Sequence, residues 1–101
     1  MELTREEVIR KLKEHQNYLS SEYGLRRIGI FGSYAQGTQS EESDIDIIAE
    51  FENPIGLKFV DFTEFIENML GKKTDILTPA GVNGIRNPNI AQRIQETVVY
   101  V

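Results

Sequence analysis

The sequence predicts an α/β (α+β) domain in which a mixed β-sheet is flanked by helices. Two connections and one apolar pattern predict it. Residues 26–31 and 43–51 are apolar strand candidates separated by one short polar segment, and so tight a connection makes neighbouring strands antiparallel. A complete helical pattern separates residues 43–51 from a third strand candidate at 73–77, which is the mark of a parallel crossover. One antiparallel and one parallel pairing make the sheet mixed. Amphipathic stretches before, between and after the strands are left to cover it.

Each element has a local reason. Thr4-Arg5-Glu6-Glu7 reads as a capping box, with Thr4 as N-cap and Glu7 three positions on. Val8, Ile9, Leu12 and Leu19 then mark one face of a helix running to about residue 19, with Lys11, Lys13 and Glu14 on the other. His15 is the one histidine, lies among polar residues and reads as surface. Residues 20–24 read as a loop, with Gly24 placed to cap the helix. Gly32 breaks the first strand, and residues 33–36 make a turn or a single short helix. Residues 37–43, with their Gly, Thr and Ser, are a surface loop. In the second strand Ile45, Ile47, Ile48, Ala49 and Phe51 leave little polar surface past Asp46, as suits a central strand covered on both faces. Asn53-Pro54-Ile55-Gly56 is a turn. Leu57, Val60, Phe62, Phe65, Ile66, Met69 and Leu70 follow at helical spacing, and Gly71 ends that helix. Pro79 stops the third strand, and residues 81–88 read as loop. Residues 89–96 form a last helix burying Ile90 and Ile94, and 97–101 a terminal strand or an extension of that helix. No repeat, linker or low-complexity stretch interrupts the chain, so 1–101 reads as a single domain.

Composition narrows the chemistry. The chain has no Cys, which rules out disulfides, thiolate catalysis and zinc–thiolate sites. A formal net charge of −5 argues against an extended nucleic-acid footprint, which needs clustered Lys and Arg. No apolar run approaches the ~18 residues of a membrane span, and the first residues carry no signal-peptide core. The expected location is therefore cytoplasmic. The expected partners are a small metal-chelated anion, a protein, or both.

The stretch from Gly32 to Asp46 organises the rest. On a strand, Asp44 and Asp46 share one face and lie roughly 6.5–7 Å apart. Two charges at that separation repel by about 2–3 kcal/mol at an effective dielectric near 20. A fold that keeps them side by side is expected to offset them with a cation. Gly32 and Ser33 supply the complement, backbone amides and a hydroxyl that form an anion cradle. The parallel crossover would bring Asp75 to the same sheet end. Three carboxylates there suit two Mg²⁺ ions, which take oxygen ligands and share them with substrate phosphates. Paired metals favour in-line displacement at phosphorus. Glu41 and Glu42 read as solvated surface.

Phe31-Gly32-Ser33, ten further residues, then Asp44-Ile45-Asp46 resembles the signature of the polymerase-beta-like nucleotidyltransferase superfamily. More narrowly, the chain is similar over nearly its whole length to the minimal nucleotidyltransferases (MNT proteins). The resemblance implies that fold, with Mg²⁺ as cofactor and ATP as substrate. It implies Asp44 and Asp46 as ligands of both metals and Asp75 as ligand of the catalytic metal and candidate base. Gly32 and Ser33 would contact the β- and γ-phosphates. One departure is visible: relatives often carry Arg in the short helix after Gly-Ser, where this chain has Tyr34 and Gln36.

The resemblance also implies a partner. Minimal nucleotidyltransferases commonly accompany a HEPN-domain protein as antitoxin and toxin, and some transfer AMP to a tyrosine of that toxin. The expected function is thus Mg²⁺-dependent transfer of AMP from ATP to a hydroxyl of a HEPN toxin. The alternative is a non-catalytic antitoxin that neutralises its partner by occlusion.

Overall fold

The computed structural model describes residues 3–83 and 88–101. Helix α1 (Arg5–Tyr23) opens as the sequence dictates: the Thr4 hydroxyl accepts from the Glu7 backbone N–H at 3.1 Å and donates to the Glu7 carboxylate at 3.2 Å. The helix continues beyond residue 19 to Tyr23, so residues 20–23 are helical rather than loop. Tyr23 is buried one turn after Leu19, and that burial outweighs the weak helix preference of Ser20 and Ser21. Gly24 caps the end with φ of 70°. His15 is half-buried rather than bare, with Nδ1 2.9 Å from the Lys11 carbonyl and its ring edge-on to Phe65.

Strand β1 (Leu25–Phe31), helix α2 (Gly32–Gln36), strand β2 (Ile45–Phe51), helix α3 (Lys58–Leu70) and strand β3 (Thr74–Leu77) follow in order. Helices α4 (Pro79–Asn83) and α5 (Pro88–Thr97) and strand β4 (Val99–Tyr100) complete the described chain. Among the described residues the sheet has the order β3-β2-β1-β4. β2 pairs antiparallel with β1 and parallel with β3, and β4 pairs antiparallel with β1. The sheet is mixed, and both central pairings have the predicted sense.

The two faces of the sheet are unequal. Ile28, Ile30, Ile45, Ile47 and Ala49 turn to α1 and α3, where they meet Val8, Leu12, Leu19, Phe62, Ile66 and Leu70 in the main core. Phe31 and Ile48 turn the other way and form a smaller cluster with Leu77, Ala91, Ile94 and Val98. Phe62 anchors the main core. It is fully buried, with the rings of Phe51 and Tyr23 edge-on at 5.0 and 5.3 Å between centroids.

Several expected boundaries and burials shift. In α3 the buried stripe is Phe62, Ile66 and Leu70 at four-residue spacing, whereas Leu57 and Val60 are 90% and 57% exposed. Pro79 not only ends β3 but opens α4, since its missing N–H costs nothing in a first turn. The expected loop at 81–88 is therefore helical at each end, and Gly84, read as a breaker within it, lies outside the described residues. Ile90 is half-exposed, and Ile94 alone of the expected pair packs into the smaller cluster. No helix among the described residues is long and apolar enough to cross a membrane.

Because Phe62 joins β2, α1 and α3, Phe62→Ala should lower the unfolding free energy by about 3–5 kcal/mol, the usual cost of such a truncation. Urea unfolding measures it, and a loss under ~1 kcal/mol would show that the main core does not depend on this ring.

Candidate active site

Strand β2 carries the site. Its residues alternate: Ile45 and Ile47 enter the main core, so Asp46 and Ile48 turn to the opposite face. On that face the parallel register with β3 sets Asp46 beside Asp75 and Ile48 beside Leu77. Asp44 stands immediately before β2 and is exposed. The three predicted aspartates thus gather at one end of the sheet.

The strand begins at Ile45 rather than at residue 43, for a local reason. The Ser43 N–H donates to the Ser40 carbonyl at 3.1 Å, and the Ser40 N–H to Ser43 Oγ at 3.0 Å, which closes a turn. Lys72 Nζ donates to the Glu41 carbonyl at 2.6 Å, tying this loop to the segment that leads into β3. Asp44 is therefore held by a fixed loop rather than by the ladder.

Gly32 explains the first half of the motif. It adopts φ of +68°, and a Cβ there would collide with the Asp46 carboxylate. Only glycine meets both demands, the left-handed backbone and the close approach. Phe31, just before it, is the register partner of Asp46 across the β1–β2 ladder. The Gly32-Ser33 corner is thereby held against the aspartates.

Burial pushes the Asp46 carboxyl above the usual carboxylate range, and the neighbouring Asp75 and Asp44 push it further the same way. Among the described residues none of the three aspartates makes an ion pair. Nor do three such side chains, or any His or Glu, already converge as a metal cage among those residues. The donor set still fits a hard divalent cation: unpaired carboxylate oxygens at one sheet end, two of them on residues paired across neighbouring strands, one of them raised by burial and by the other carboxylates.

A cleft of about 440 Å³ opens beside Asp46. Gly32, Ser33, Gln36 and Thr38 form one wall, and Arg93, Ile94 and Thr97 of α5 form the other. A cleft of similar size, about 460 Å³, lies between Tyr34, Gln39 and Lys72, but none of the three aspartates lines it. The aspartates, not size, make the first cleft the candidate site.

Residues 12–101 match the sequence model of the family described as Nucleotidyltransferase domain. The chain belongs to the nucleotidyltransferase family. Protein adenylyltransferase MntA of Thermococcus cleftensis is 38% identical over 100 residues, covering 98% of this chain and 97% of that protein. A Methanocaldococcus jannaschii protein assigned the same activity is 38% identical over 101 residues, or 97% of this chain and 98% of its own. A solved structure assigned as a minimal nucleotidyltransferase superposes with a TM-score of 0.72 at 26% identity, covering 96% of this chain and 95% of the other. A toxin–antitoxin structure with AMP-PNP shares the fold at a TM-score of 0.63 and 21% identity, covering 97% of this chain and 72% of that one. The expected fold and the expected enzyme class, a minimal nucleotidyltransferase, both stand.

The apolar spacing of α5 marks it only as core cover, yet the helix also walls the cleft. No local signal marks that wall, because α5 reaches the cleft through tertiary packing from more than forty positions beyond Asp46.

The raised Asp46 carboxyl costs the folded chain stability at neutral pH. The unfolded side chain titrates near ~3.9, and the folded one higher. Between those two values the folded state binds more protons, so stability falls as pH rises through that window and the penalty is complete above it. In EDTA, Asp46→Asn should therefore melt above the parent at pH 7, and the advantage should vanish below about pH 4. A melting temperature equal to or below the parent's at neutral pH would contradict the upward shift that burial and the neighbouring carboxylates impose on Asp46.

Proposed function

We propose that this chain is a Mg²⁺-dependent protein adenylyltransferase that moves AMP from ATP to a tyrosine hydroxyl of a HEPN-domain toxin in the cytoplasm, and so acts as its antitoxin. The observation that carries this reading is the pairing of Asp46 with Asp75 at one sheet end, with Asp44 ahead of them and Gly32 pressed against Asp46. The adenylyltransferase relatives support a protein acceptor, and the fold shared with a toxin–antitoxin structure supports the toxin.

Asp44, Asp46 and Asp75 would hold the divalent ions, two in number, whose chemistry is charge neutralisation during in-line displacement at phosphorus. The Ser33 hydroxyl and the Gly32 backbone face the β- and γ-phosphates. Asp75 accepts the proton of the attacking hydroxyl. The acceptor oxygen bonds to the α-phosphorus as the bond to the bridging oxygen breaks, and pyrophosphate leaves with the electron pair. Gln36, in a helix without a basic residue, favours a second reading: neutralisation of the toxin by occlusion, with nucleotide weakly held.

Incubation with labelled ATP, Mg²⁺ and a candidate HEPN-domain toxin, followed by intact mass, tests the first reading. The toxin should gain the mass of one AMP. Asp75→Asn should lower transfer by roughly 10²-fold or more, while ATP affinity stays within a few-fold, because the contact is made chiefly in the transition state. If Asp75→Asn transfers nothing yet fully protects cells from the toxin, occlusion is the function.

A further inference from the structure

The cleft beside Asp46 has an electrostatic problem. It must accept a polyanion next to three aspartates, in a chain whose formal net charge is −5. Helix α2, which forms its near wall, reads Gly-Ser-Tyr-Ala-Gln and holds no basic side chain. Arg93 is the one cationic side chain among the described residues that line the cleft.

Arg93 is also available. Other arginines are engaged: Arg10 with Glu14 at 2.7 Å, and Arg27 with Glu50 at 2.7 Å. The Arg93 guanidinium makes no ion pair or hydrogen bond among the described residues, although Asp46 lies across the same cleft. Its backbone is fixed. The Thr97 hydroxyl donates to the Arg93 carbonyl at 2.8 Å, and Ile94, the next residue, packs into the cluster under α5. An exposed, unpaired guanidinium on an anchored helix faces Ser33 and Gln36 across a gap large enough for phosphates.

We propose that Arg93 binds the phosphates of the nucleotide from the α5 side, supplying the positive charge that α2 lacks. This rests on the nucleotide reading above and adds to it a binding residue on the opposite wall. A guanidinium suits the task, since its planar fork donates two parallel hydrogen bonds to phosphate oxygens and stays charged at any working pH. The contact goes to the distal phosphates, because Ser33 and Gln36 opposite are the residues beside the Gly32 corner.

Calorimetric titration of the full chain with Mg²⁺–ATP, AMP and inorganic tripolyphosphate tests it. Arg93→Gln should weaken ATP and tripolyphosphate by about 10- to 100-fold, the span for lost hydrogen bonds to a charged group, and leave AMP within about threefold. The melting temperature without ligand should match the parent's, as the side chain is exposed. Adding Gln36→Arg to Arg93→Gln returns a cation from the facing wall and should recover part of the lost ATP affinity. Unchanged ATP affinity in Arg93→Gln overturns the assignment, and if AMP transfer falls at the same time, Arg93 serves the acceptor instead. Equal weakening of ATP and AMP also overturns it. A parent chain that binds no ATP defeats the nucleotide reading itself, and this inference with it. ATP binding lost in Asp46→Asn but kept in Arg93→Gln defeats this inference alone.

Discussion

The register of β2 is the constraint on which the rest depends. A slip of one residue would turn Asp46 into the main core and Ile45 and Ile47 out to solvent. Ile45, Ile47 and Ala49 are all fully buried. Each isoleucine contributes about 1.5–3 kcal/mol by leaving water. Repulsion between neighbouring aspartates is of the order of 2–3 kcal/mol. Two buried isoleucines therefore outweigh one repelling pair, and the core of one face holds the charges of the other in place. The main core and the candidate site are written on alternate residues of a single strand.

The same logic runs outward from β2. Gly32 has no side chain because Asp46 occupies that space, so the motif spacing records a contact between the start of α2 and strand β2. The loop between them is closed by Ser40 and Ser43 and tied by Lys72, which places Asp44 without spending a strand position on it. The crossover through α3 is what makes the β3 pairing parallel and brings Asp75 to the end of the sheet where Asp44 and Asp46 already are. An antiparallel return would have put the start of β3 at the opposite end.

Much of this was legible because it is local. Thr4 and Glu7 show their cap in four residues, Gly71 shows where α3 stops, and connection length fixes the sense of both central pairings. Local pattern and structure part where tertiary contact overrides local preference. Tyr23 carries α1 through two serines because it has a core to enter. Leu57 and Val60 have the right spacing for α3 but no neighbour to bury them, since the helix faces the sheet through Phe62, Ile66 and Leu70. Ile90 fails in the same way at the start of α5. Spacing says which residues share a face, and only packing says how wide the covered stripe is.

The second wall of the site was illegible for a deeper reason. Nothing near Arg93 in the sequence refers to Gly32, Ser33 or Asp46, and they meet only because β4 pairs with β1 and draws α5 across the sheet. That anchoring is lighter: a two-residue ladder extended by the Val101 N–H to the Ile28 carbonyl, Val99 and Val101 partly buried against the main core, and a cluster in which only Phe31 and Ile48 are buried outright. The main core, by contrast, buries whole faces of α1 and α3. The two walls of the cleft are thus held with unequal strength, one built into the central ladder and the other laid over it. A polyanion contacting both walls would add electrostatic attraction where hydrophobic burial is thinnest, so α5 is the part of the site whose stability gains most from an occupied cleft.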